Sequence, residues 1–109
     1  MPNVEAALVL VTVSGQQEAD RISSVLLEER KAACVNIIPK VASRYWWQGK
    51  IDSADELLLL IKTRMALVPQ IVQLVKQNHS YTVPEIIAIP IAAGSEEYLA
   101  WIDAETREP

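Results

Sequence analysis

Glycine is scarce in this chain, with three residues in 109, at Gly15, Gly49 and Gly94. No glycine-rich loop can cradle a phosphate, and the dinucleotide fingerprint, the P-loop and the GxSxG nucleophile elbow are all missing. Cysteine is limited to Cys34, which rules out an intrachain disulfide, a CxxC pair and a multi-cysteine metal site. A single unpaired thiol fits a reducing compartment, and a cytoplasmic location is expected. Histidine is limited to His79, so one Cys and one His do not complete a metal site within one chain. Basic charge is also short. Ten Lys and Arg face fourteen Asp and Glu, for a formal net charge of −4 and a pI near 4.9. No basic stripe is available to neutralise phosphates, which excludes nucleic acid and anionic membrane as partners. The opening MPNVEAALVLVTV has no basic leader, and its apolar run is too short for a membrane span or a signal peptide.

What the chain does have is apolar residues, at 50%, enough for a core without disulfides or a structural metal. A single domain over residues 1–109 is expected. Residues 6–13 are almost continuously apolar and β-branched, as in a strand buried on both faces. Ser14 and Gln17 have capping-box spacing, and Ile22, Val25 and Leu26 recur at helical intervals, predicting a first helix to about Lys31. Val68, Ile71, Val72 and Val75 repeat at i, i+3, i+4 and i+7, predicting a second helix to about Asn78, with Pro69 tolerable only in its first turn. Residues 85–91 form a further apolar strand, and Ser95 caps a short helix carrying Tyr98, Leu99, Trp101 and Ile102. The tail from Asp103 to Pro109 is expected to fray. The order strand, helix, strand, strand, helix, strand and a C-terminal helix gives an α+β, ferredoxin-like βαββαβ fold.

Between the first two helices, Cys34 to Thr63 reads as two long strands meeting at Gln48-Gly49-Lys50. An arm of about thirteen residues spans ~43 Å, against a radius of gyration of ~13 Å for a compact domain of this size. Part of the hairpin therefore overhangs. Pro39 marks an edge position or a bulge in the first arm. The overhang carries Tyr45-Trp46-Trp47, and strand alternation sends these aromatics to both faces. Their enrichment at protein interfaces favours burial against another copy of the chain over a stacking platform for bases or sugars.

Chemistry has few candidates. Nothing in the sequence pairs Cys34 with His79 as nucleophile and base, and a lone cysteine reads as a small buried hydrophobe. His79 follows the second helix, where it either complements the helix dipole or serves as a ligand for copper, zinc or nickel. Asp52, Asp55 and Glu56 near the hairpin tip read as a solvated edge. Glu85 opens an apolar strand and, if buried, needs a partner such as Arg44, Lys50 or Lys62 across a subunit boundary.

Five ordered blocks carry a family resemblance: residues 33–39 (ACVNIIP), 45–51 (YWWQGKI), 60–63 (LIKT), 79–87 (HSYTVPEII) and 98–102 (YLAWI). Through them the chain resembles the CutA divalent-cation tolerance proteins along nearly its whole length. The resemblance implies a ferredoxin-like homotrimer in which long hairpins extend onto neighbouring subunits. It also implies a role in divalent-cation tolerance, copper above all, with no enzymatic reaction and no required cofactor. His79 matches a histidine proposed as a Cu2+ ligand in some bacterial members, and Cys34 matches a cysteine common in the family, so these two are the metal-site candidates. This chain has Val11 where those members carry a further cysteine, and Asn78 where they carry a second histidine. Two other readings are a stable interaction scaffold and a small-molecule-binding trimer similar to nitrogen-regulatory proteins of the PII type. In the latter, Pro39, Lys50, Tyr81 and Glu85 would line a pocket between subunits.

Overall fold

A computed structural model describes residues 5–107. Residues 1–4, 108 and 109, at the two ends of the expected domain and frayed tail, lie outside the described residues. The elements are β1 (Ala6–Val13), α1 (Gln16–Glu28), β2 (Cys34–Trp47), β3 (Lys50–Arg64), a 3₁₀ turn (Met65–Leu67), α2 (Val68–Asn78), β4 (Ile86–Pro90) and α3 (Glu96–Glu105). The sheet order is β2-β3-β1-β4, with every neighbour antiparallel. This is the split βαβ arrangement that the element order predicts, with β3 inserted between β1 and β2.

Alternation sorts β1 and β3 into two faces. Val9, Val11 and Val13 stand opposite Ile61, Leu59 and Leu57, and with Ile22, Leu26, Ile71 and Val75 they form one buried core beneath α1 and α2. The other face carries Leu8, Leu10, Leu58 and Leu60, all half-buried, and Ile87 and Ile89, which are exposed. α3 lies over part of that second face, adjoining β3 and β1. Arg64 pins its end, donating from Nε to Thr106 Oγ1 and from Nη2 to the Thr106 carbonyl, both at 2.9 Å. The expected fraying is thus wrong for residues 103–107: Thr106 is buried, and Arg30 pairs with Glu105 at 3.0 Å.

Two helix ends also differ from the sequence reading. Ser14 and Gln17 form no capping box. The residue at the third helical position is Glu18, whose Oε1 accepts from the Ser14 backbone N–H at 3.1 Å and from its hydroxyl at 3.3 Å. α1 stops three residues before Lys31, because Arg30 takes a left-handed conformation (φ 58°). Lys31 N–H then bonds to the Leu26 carbonyl and Arg30 N–H to Leu27, a Schellman closure.

The hairpin is as long as the sequence suggests. β1 pairs β3 only between Leu57 and Arg64. The seven residues from Lys50 to Glu56 pair with β2 alone, an overhang of about 23 Å. It accounts for a longest dimension of 49 Å against 26 and 22 Å. Pro39 sits in a bulge where the register slips between Ile38–Leu58 and Val41–Glu56. β2 is an edge strand, so the missing proline N–H breaks no inner ladder.

Candidate functional site

His79 caps the end of α2, and its side chain is fully buried. Its Nδ1 accepts the Tyr81 backbone N–H at 3.0 Å, while Nε2 lies 2.8 Å from the Thr12 carbonyl. A carbonyl can only accept, so Nε2 carries the proton and the imidazole is neutral. Neither nitrogen has a lone pair left for a metal ion while these two bonds stand. Glu18 holds the same knot from the other side. Its Oε2 accepts the Ser80 backbone N–H and lies 3.9 Å from His79 Nδ1. Burial pushes the Glu18 carboxyl up, but the hydrogen bonds from Ser14 and Ser80 outweigh it and hold the group below its ordinary range.

Cys34 begins β2, half-buried, with its thiol 3.9 Å from Asn36 Oδ1. Tyr98 of α3 is beside it: burial and then the neighbouring Cys34 push the Tyr98 phenol up. Cys34 and His79 do not converge. Cys34 is opposite Lys62 and Thr12 is opposite Leu58, four residues apart along β3, or about 13 Å. Among the described residues no three His, Cys, Asp or Glu side chains are grouped to hold a metal ion. Within one chain the residues present do not fit a single copper centre.

A different group of side chains does converge. The overhanging hairpin and the segment 80–85 enclose an open groove of about 880 Å³, lined by Thr12, residues 42–47, Asp52, Glu56, residues 80–83 and Glu85. The Tyr81 hydroxyl donates to Glu56 Oε2 at 2.9 Å. Burial first, then this bond and the Glu56 charge, push the Tyr81 phenol up to about 12. Tyr81 and Glu85 sit in this one groove within the chain, whereas Pro39 and Lys50 do not line it. Glu85 is exposed and forms no ion pair among the described residues, so it needs no cation from a neighbour.

The carboxylate cluster divides. Asp52 and Asp55 are exposed, in keeping with a solvated hairpin, but Glu56 is buried. Sequence reasoning passed over Glu18 and placed Glu56 on a solvated edge, which its 6% exposure corrects. The signal for Glu56 was its position as the last charge before the apolar run from Leu57, where a strand enters the core.

A family model described as "CutA1 divalent ion tolerance protein" matches residues 7–105. The Divalent-cation tolerance protein CutA of Thermus thermophilus is 50% identical over 99 residues, covering 91% of this chain and 96% of the relative. Protein CutA 1, chloroplastic, of Oryza sativa is 45% identical over 105 residues, and this chain spans 96% of itself but 59% of that relative's length. Among solved structures, CutA1 from Oryza sativa superposes with a TM-score of 0.92 at 44% identity, covering 97% of both chains. The periplasmic divalent cation tolerance protein CutA from Archaeoglobus fulgidus superposes with a TM-score of 0.91 at 42% identity, covering 94% of this chain and 99% of that one. On the sequence match and on the shared fold alike, the chain belongs to the CutA1 divalent ion tolerance family.

Proposed function

We propose that this protein serves divalent-cation tolerance as a homotrimer without a catalytic site, and that the β2–β3 hairpin is its assembly arm. The carrying observation is the cross-strand pair Trp46–Ile51 on the overhang, 73% and 67% exposed. Large apolar side chains on an arm that leaves its own core favour burial against another copy. The half-open sheet face carrying Ile87 and Ile89 supplies a surface of matching character. An arm leaving one copy and a face receiving it form a head-to-tail contact, which gives a ring when the rotation between copies closes. A ring of three follows the family resemblance. Light scattering at micromolar protein is expected to give three times the 12.1 kDa chain mass. A monomer at that concentration overturns the assembly.

In this reading copper contacts Cys34 and His79 separately and weakly, since His79 must give up a fold-stabilising bond to coordinate. Calorimetric titration with Cu2+ of the wild type, Cys34→Ser and His79→Gln is expected to show binding that an excess of free histidine removes. Tight stoichiometric binding, lost in either variant, overturns the weak-site reading. The unpaired Cys34 thiol supports a reducing, cytoplasmic location, which fractionation of cells expressing the protein tests directly.

A further inference from the structure

Two carboxylates are sunk into this molecule, Glu18 at 5% exposure and Glu56 at 6%. Glu18 is fully met, by the Ser14 and Ser80 N–H groups, the Ser14 hydroxyl and Arg21 at 3.7 Å. Glu56 is not. Its sole hydrogen-bond donor among the described residues is the neutral Tyr81 phenol, on Oε2, and no Lys, Arg or His lies within ion-pair distance. With Oε2 taken by Tyr81, the second oxygen of Glu56 has no donor among the described residues and opens into the groove, where a ligand cation could reach it.

The face that carries Glu56 is suited to supply a place for that charge. Register puts Val41 opposite Glu56, Tyr45 opposite Asp52 and Trp47 opposite Lys50, so alternation sets Tyr45, Trp47, Asp52 and Glu56 on one face. Asp52 is four residues from Glu56, about 13 Å along the strand. Arg44 also lines the groove but lies outside ion-pair distance of Glu56, and Lys50 is six residues from Glu56, about 20 Å, beyond the reach of its side chain. A divalent metal is poorly served, since no third His, Cys, Asp or Glu joins the group among the described residues. An organic ammonium needs less: one carboxylate and the faces of aromatic rings. The groove volume of about 880 Å³ falls in the range of small-molecule sites.

We propose that this groove binds a linear aliphatic di- or triamine, one ammonium seated on Glu56, the other directed toward Asp52, and the methylene chain lying along Tyr45 and Trp47. Tyr81 completes the seat. Its phenol, held protonated by burial and by Glu56, occupies one carboxylate oxygen and leaves the other to the ammonium.

Isothermal titration of the full chain in its native assembly with spermidine and with putrescine tests it, with neutral 1,4-butanediol and MgCl2 as controls. Saturable amine binding is expected, with none for the diol. Glu56→Gln, which keeps an acceptor for the Tyr81 hydroxyl, is expected to weaken spermidine about tenfold or more. Asp52→Asn should weaken it by a smaller factor. If Glu56→Gln fails to fold, the double variant Tyr45→Leu with Trp47→Leu, at positions 39% and 44% exposed in the single chain, reads the same loss at unchanged oligomer mass. Absence of saturable heat, equal binding by wild type and Glu56→Gln, or displacement by an equal concentration of Mg2+ overturns the proposal. A fall in oligomer mass in Glu56→Gln, with no amine bound by the wild type, also overturns it and assigns the missing charge to a basic side chain of a neighbouring copy.

Discussion

At the scale of the residue, ionisation of Glu18 is tied to folding by the donors that surround it. Its carboxyl is lowered from 4.5 in the folded state, because hydrogen bonds from Ser14 and Ser80 outweigh the effect of burial. A lowered folded value means that the unfolded chain binds the proton more tightly. The contribution is therefore complete above pH 4.5 and is lost as pH falls through the folded value. Glu18→Gln is expected to cost about 1–3 kcal/mol at neutral pH and to flatten the acid limb of stability, as read by urea unfolding from neutral pH down to below 4.5. Tyr81 runs the other way. Its folded value of about 12 lies above 10, so its contribution is complete below 10 and fades as pH rises through 12. Glu56→Gln removes a charge that disfavours the phenolate, and ultraviolet absorbance at alkaline pH should show Tyr81 ionising earlier. An unmoved titration separates Tyr81 from Glu56. Neither pairing was legible in the sequence, because Glu18, Glu56 and the pair His79 and Tyr81 lie on three separate segments and meet only when α1, β3 and the end of α2 assemble.

Elements were easier to read where one periodicity ruled. β1 and the root of β3 are apolar at almost every position, and α2 repeats at helical spacing with Pro69 in its first turn, so their places followed from pattern alone. The hairpin was legible from its length, and its turn explains the sequence at the tip. Gln48 and Gly49 both have positive φ, at 50° and 80°, a two-residue turn whose twist matches the strands it joins. Gly49→Ala places a Cβ in a left-handed conformation and is expected to cost about 1 kcal/mol, whereas Gln48→Asn should be neutral or stabilising. Thermal unfolding of the two variants checks the contrast. Helix ends were harder. The stop of α1 at a left-handed arginine has no glycine to announce it, and the C-terminal tail read as frayed because the partner that orders it, Arg64, is 42 residues from Thr106. Arg64→Ala removes both bonds to Thr106, and amide exchange over residues 102–107 is expected to quicken while the α1–α2 core stays protected.

Among the described residues, apolar side chains are exposed on the hairpin overhang and on the sheet face beside β4, and also at Leu27, Val83, Tyr98 and Trp101; the first two surfaces are the ones the proposed assembly uses. A buried Trp side chain removes roughly 200 Å² from water, a gross gain of about 5 kcal/mol at 25 cal/mol per Å². Association costs on the order of 4–15 kcal/mol in lost freedom. One anchoring aromatic per contact is then too little to hold an assembly, and the proposed trimer requires the sheet face as well as the arm. Charges placed on either surface should therefore weaken it alike. Trp46→Glu and Ile89→Glu, at positions 73% and 46% exposed in the single chain, leave the core untouched and are each expected to lower the mass seen by light scattering on dilution. Unfolding coupled to dissociation makes the midpoint temperature of the wild type rise with protein concentration, and both variants should lose part of that dependence. Loss in Trp46→Glu with none in Ile89→Glu would place the receiving surface elsewhere, and no loss in either would leave the arm without the assembly role that its length and aromatics argue for.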